Sequence, residues 1–146
     1  MPEPHRVLDD ELLYRLVPDR CGNYELEDNG MYRVTSAAFG DGPTEREGPR
    51  QPSVYRAKLC DFEPKSIRRD STEFVVSLTA EQVRRIGATQ DRDKVDVVPD
   101  TKDHPAHALV VSDPAYMDKD PKFRKLRKQL AKAANSNWAI GPPNHC

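Results

Sequence analysis

"FVVSLTAEQVRRIG", residues 74 to 87, holds the change of period on which the fold turns. Phe74 to Leu78 is a β-branched and aromatic run, which suits a strand. Thr79 follows as an N-cap candidate with Gln82 three residues on. That is the spacing of a capping box, in which each side chain satisfies the other residue's backbone N–H. Leu78, just before the cap, is placed to pack on Val83 as a hydrophobic staple. Gly87 offers a left-handed cap at the far end. A strand therefore runs straight into a short helix, Ala80 to Ile86, with Val83 and Ile86 facing inward and Arg84 and Arg85 outward.

Upstream, Leu12 to Val17 is a short apolar run that stops at Pro18-Asp19, and a strand is favoured there. Asn23–Leu26 and Met31–Thr35 read as a hairpin joined through Asp28-Asn29-Gly30. Pro43 to Pro52, rich in Gly, Pro and mixed charge, reads as a mobile surface loop. Ser53 to Leu59 alternates apolar and polar as a half-buried strand does. Downstream, Asp93 to Val98 and Ala106 to Val111 are two more strands. Asp120 caps a last helix that opens on Pro121 at its favoured first position and runs to Ala134. The tail, Asn135 to Cys146, reads as irregular. The expected architecture is α+β: a mainly antiparallel sheet of about five short strands, one inserted short helix and a C-terminal basic amphipathic helix. Two regions are expected, an α+β body over residues 1–120 and a basic helix with its tail over 121–146.

A chain of 146 residues is most simply one domain, long enough to fold without a metal or disulfide framework. Its apolar share is 36%, its charged share 32% and its mean hydropathy −0.82, so a small core with long polar connections is expected. Cys21, Cys60 and Cys146 form no C-x-x-C, which excludes a zinc ribbon or thioredoxin-type site and argues against a disulfide scaffold. No run of 18 apolar residues exists to span a membrane. Met1 to Asp10 has no hydrophobic run of signal-peptide type. A soluble, cytoplasmic protein is expected, with no metal and no small-molecule cofactor. Charge, however, is segregated. The first 120 residues hold 17 bases against 24 acids, a balance of −7, while 121–146 holds six bases and no acid.

Those six bases are Lys122, Arg124, Lys125, Arg127, Lys128 and Lys132. In the same helix Phe123, Leu126, Leu130 and Ala133 or Ala134 fall on one face. The helix can dock on its own acidic body, grip an RNA or DNA backbone, or seat in a partner protein's groove. Membrane-surface binding ranks below these, since the apolar stripe is short and lacks Trp.

"DHPAHALVV", residues 103 to 111, sets His104 and His107 beside Asp103. Pro105 opposes a helix at His104, and on a strand residues three apart point to opposite faces. Chelation would need a turn with ligands from Asp100 or Asp103. The preferred reading is a turn at Asp103-His104-Pro105, with His107 opening a strand. The alternative makes His107 an acid or base, helped by His104 or Asp103.

"TSAAFGDG", residues 35 to 42, offers small residues for close backbone approach, with core packing or a tight turn preferred over a nucleophilic serine. Arg15, Arg33 and Arg56 each follow a tyrosine in an expected strand. If those strands are neighbours, the tyrosines share one face and the arginines the other. Such a face suits carboxylate or phosphate, although arginines facing solvent are the simpler reading.

"YRLVP", "VTSAAFGDG", "SVYRAKL", "VSLTAEQVRRIG" and "DHPAHALVV", in that order, resemble a loose set of small bacterial proteins with an arginine-rich first strand, a Ser-Ser-Ala-Ala-Phe-like segment and a Pro-Ala-His-Ala-like strand. The resemblance covers about residues 12 to 111. It implies no activity, and it makes the basic helix an addition to a common body. The leading expectation is a non-enzymatic binding module, an accessory subunit that docks on a protein or on RNA or DNA through 121–134, with 121–146 removable without unfolding the body. The alternative is a small hydrolase or transferase acting on a phosphate-containing substrate, with His107 as acid or base and Arg15, Arg33 or Arg56 holding the anion.

Overall fold

The structure is a computed structural model that describes residues 6–40, 48–69, 71–135 and 137–141. In chain order the strands are β1 (Leu12–Val17), β2 (Tyr24–Leu26), β3 (Tyr32–Val34), β4 (Ser53–Arg56), β5 (Phe74–Thr79), β6 (Lys94–Pro99), β7 (His107–Asp113) and β8 (Trp138–Ile140). Helix α1 spans Ala80–Arg85 and α2 spans Pro121–Ala134. The fold is α+β. Six strands form one antiparallel sheet in the order β6-β7-β4-β1-β5-β8, and β2 with β3 forms a separate ribbon.

The sheet's two faces are covered unequally. One face packs Leu13, Val54, Val76, Leu78, Val97 and Val110 against Phe39, Val83 and the α2 residues Phe123, Leu126 and Leu130, all in one buried cluster. The other carries a smaller cluster, Tyr14, Val75, Ala57, Cys60, Ile67 and Ala106. Two 3-10 turns, Ala57–Cys60 and Pro64–Ile67, supply three of those residues. The sheet thus has one deep core and one shallow one.

The capping box forms as the spacing predicts: Gln82 N–H donates to Thr79 Oγ1 at 3.2 Å, and Thr79 N–H donates to Gln82 Oε1 at 2.8 Å. Leu78 and Val83 are both buried in the main core. Pro121 opens α2 and Asp120 caps it, accepting from Lys122 N–H at 2.8 Å. The β2–β3 hairpin forms, with Gly30 at φ +82° where its turn requires the left-handed region.

Four expectations need correction. β4 stops at Arg56, because the chain curls into a 3-10 turn that buries Ala57 beneath the second face. The tail is not wholly irregular, since Trp138–Ile140 pairs antiparallel with β5 as an edge strand. Nor does position 120/121 separate two cores: the apolar face of α2 lies inside the main cluster. The expected mobile loop at Pro43–Pro52 falls largely outside the described residues. Of the cysteines, Cys60 is free and buried.

Gly87 is the fourth correction. It does not adopt the left-handed cap, because the chain continues past α1 as a 3-10 turn over Ile86–Thr89. Glycine is needed there for space: a Cβ at Gly87 would lie 2.7 Å from the backbone carbonyl oxygen of Asp93. Gly87→Ala is therefore expected to cost about 1–3 kcal/mol, the range for overpacking a tight site. Gly40→Ala is the control, because its Cβ would meet nothing closer than Ala37 O at 3.8 Å. Urea denaturation of both variants checks this, and equal stabilities would remove the close-approach argument.

Candidate functional site

The candidate site is the outer surface of α2, and the inner surface explains how it is presented. Phe123, Leu126, Leu130, Ala131 and Ala134 are buried, so the apolar stripe is consumed by the protein's own core. At about 100° per residue, Arg124, Lys125, Lys128 and Lys132 fall within an arc of about 100° on the opposite side. All four are exposed, and none forms an ion pair among the described residues. From Arg124 to Lys132 the ridge runs about 12 Å along the helix axis.

The other two bases of the helix do different work. Lys122 Nζ reaches Asp93 Oδ2 at 2.8 Å and Asp91 at 3.7 Å. Tyr116 is buried, and its hydroxyl donates to the same Asp93 oxygen at 2.7 Å. Gln90 Nε2 donates to the Lys122 carbonyl at 2.8 Å, closing a tether that holds the first turn of α2 to the loop before β6. The hydrogen bond from Lys122, then that from Tyr116, holds the Asp93 carboxyl below the usual aspartate range. Burial, reinforced by Asp93, pushes the Tyr116 phenol up to about 12. Arg127 lies over the Phe123 ring, 5.2 Å from its centroid. Sequence reasoning named Lys122 and Arg127 as contact residues. It missed Asp93, Tyr116 and Gln90, of which Asp93 and Gln90 lie 29 and 32 residues from Lys122 and carry no local pattern.

The histidine stretch folds as a turn. His104 Nδ1 accepts from Ala106 N–H at 3.0 Å, His107 N–H donates to the His104 carbonyl at 3.1 Å, and β7 begins at His107. Asp103 is exposed beside the turn. Asp100 is the acid that meets His107, its carbonyl 3.0 Å and its carboxylate 3.3 Å from Nδ1. The Tyr55 ring stands edge-on to both histidines, with centroids 5.3 and 5.4 Å away. Among the described residues, no group of three or more His, Cys, Asp or Glu is placed to hold a metal ion.

The three strand arginines do not converge. Tyr14 pairs with Tyr55, and Tyr55 pairs with His107, so these three side chains share one face. Arg56 pairs with Leu13, and alternation puts it and Arg15 on the opposite face. Tyrosines and arginines of β1 and β4 do divide between faces, but the arginines are spent internally. Arg56 is 1% exposed and clasped by Glu11. Arg15 donates from Nε to Ala38 O at 2.9 Å, and from its two Nη atoms to Ser53 O at 2.7 Å and Gly40 O at 2.8 Å. Arg33 lies in the separate ribbon, held by Glu25 and by Glu27 at 2.8 Å. His107 and the arginines proposed to hold its substrate are thus not brought together.

No protein-family model, curated protein or solved structure matches the chain. What the fold and surface define is an α+β protein in which a core-docked helix turns a cationic ridge outward. No helix is long and apolar enough to cross a membrane.

Proposed function

We propose that this chain is a non-enzymatic binding module, an accessory part of a larger assembly, that docks on an RNA or DNA backbone through the outer face of α2. One observation carries the reading: Arg124, Lys125, Lys128 and Lys132 share one exposed arc and meet no carboxylate among the described residues, although the chain has 24 acids. The body's acids could have neutralised the helix, yet among the described residues only Lys122 is used that way. Burial of the apolar stripe also favours a polyanion over a protein groove. Helix-in-groove docking needs a free apolar face, and α2 has none to offer. The hydrolase or transferase reading has weaker support, because it requires His107 and an anion-holding arginine on one face.

Four phosphate contacts imply that affinity for duplex DNA falls about 100-fold between about 50 and 200 mM salt. Replacing the four cations by Gln should flatten that salt dependence and abolish retention at low salt, with the fold intact by circular dichroism. Fluorescence anisotropy with labelled duplex DNA and single-stranded RNA makes the measurement. Equal binding by the native and substituted chains, or no binding by the native chain at low salt, sinks the proposal. Retention of an acidic protein surface but of neither nucleic acid would replace it with a protein partner.

A further inference from the structure

A recess opens beside the cation ridge, between the end of α2 and the β2–β3 ribbon. Its volume is about 480 Å³, and α2 lines one wall with Lys128, Ala131, Lys132 and the capping residue Asn135. These stand at i, i+3, i+4 and i+7, so they form one strip of the helix surface. Ser36 and the cross-strand neighbours Glu25 and Arg33 line the other side. Two hydrogen bonds hold the walls in place. Val34 N–H donates to the Asn135 carbonyl at 3.1 Å, and Trp138 Nε1 donates to the Tyr32 carbonyl at 3.0 Å.

The polar groups of the recess divide into used and unused. Arg33 is shared between Glu25 and Glu27, so the ribbon wall carries a net negative charge and repels phosphate. The side chains of Lys128, Lys132, Ser36 and Asn135 make no hydrogen bond or ion pair among the described residues. Lys128 and Lys132 belong to the ridge, so a backbone gripped there passes the mouth of the recess. Ser36 hydroxyl and Asn135 amide can each donate and accept, as a base edge or a sugar hydroxyl requires. Ala131 and the stems of the two lysines add an apolar bed. The volume lies in the range of about 300–1,000 Å³ usual for small-molecule sites. A duplex keeps its bases stacked inward and can only ride on the ridge. A single strand can splay one base out of its stack and into the recess.

We infer that this recess takes one unpaired nucleotide, so that the partner of the α2 ridge is single-stranded nucleic acid rather than duplex. The inference rests on the nucleic-acid reading of the ridge, and one experiment separates the two failures. Fluorescence anisotropy at matched salt compares labelled oligouridine with a duplex RNA of equal length. The native chain should bind the single strand several-fold tighter. Ser36→Ala/Asn135→Gly should lose that preference and bind the duplex as the native chain does. Glycine is chosen because Asn135 has φ +43°, which alanine would strain. The four-fold Gln variant of α2 should lose both ligands. Equal binding of single strand and duplex by the native chain, or a preference kept by Ser36→Ala/Asn135→Gly, overturns the recess and leaves the ridge standing. Binding of neither ligand by the native chain overturns the ridge, and the recess with it.

Discussion

A chain ending at residue 120 is expected to lose its cooperative unfolding transition altogether. The missing segment takes Phe123, Leu126 and Leu130 from the main core, where each is at most 1% exposed, and takes β8 from the edge of β5. Full burial of side chains of this size contributes about 1.5–3 kcal/mol each. Three of them therefore represent about 5–9 kcal/mol, against a total stability of about 5–15 kcal/mol for a typical domain. Leu13, Val76, Leu78 and Val83 in the same cluster would also lose cover. The measurement is thermal unfolding by circular dichroism together with the dispersion of amide resonances. A truncated chain that melts cooperatively near the native temperature would restore the charge split at Pro121 as a domain boundary. This expected result replaces the view of α2 as an appendage, and it is why the cation ridge is tested by substitution rather than deletion.

Glu11→Ala is expected to cost about 3–5 kcal/mol, because it removes the buried carboxylate that balances the Arg56 guanidinium. Arg56 Nε and Nη2 each lie 2.8 Å from a Glu11 carboxylate oxygen, in a side-on bidentate pair whose members are 1% and 2% exposed by side chain. Glu11 also accepts from Leu8 N–H at 2.7 Å, so the same carboxylate ties down the segment before β1. Replacing the whole pair by apolar residues, as in Glu11→Leu/Arg56→Met, should recover most of the loss, since both buried charges are then gone and Lys58, which also reaches Glu11, is 41% exposed. Urea denaturation of both variants makes the comparison. A double variant no more stable than Glu11→Ala would mean that packing, not the buried charge, sets the loss.

The pH dependence of this pair has a definite sign. Burial by itself would raise the Glu11 pKa, but the hydrogen bond from Arg56, that from Leu8 N–H and the nearby charges of Arg56 and Lys58 bring it below the usual glutamate range. A carboxyl whose folded pKa is depressed contributes stability that is complete above its unfolded value, about 4.3, and is lost as pH falls through the folded value. Native protein should therefore lose stability below about pH 4.3 more steeply than Glu11→Leu/Arg56→Met does. Parallel acid limbs would exclude Glu11 as a contributor.

Much of the local structure was legible because the interactions that make it lie within a few residues. Thr79 and Gln82 close their box across one helical turn, Asp120 and Pro121 start α2, and Gly30 turns the hairpin. The amphipathic stripe of α2 likewise follows from a 3.6-residue period. What covers that stripe has no local signature, so the six bases looked like one surface. The fold divides them: Lys122 goes to Asp93, Arg127 lies over Phe123, and four are left outside. Gly87 was read from its place after a helix, while its actual constraint is the carbonyl of Asp93 on the next loop.

The α+β class, the two N-caps, both helices and most strands were readable from single segments, since backbone hydrogen bonding and side-chain period within a segment decide these. Strand order was decided only when non-local faces found burial, and with it the fate of every arginine. Pairing β1 between β4 and β5 put Arg15 and Arg56 on the deep face and Tyr14, Tyr55 and His107 on the shallow one. Arg56 is sealed there by Glu11, 45 residues away, and Arg15 by the carbonyls of Ala38 after β3 and of Ser53 in β4. Arg20 and Arg69, unremarkable in the sequence, line one cleft together with Arg15. Such meetings depend on which surfaces bury together, and no window of neighbouring residues contains that information.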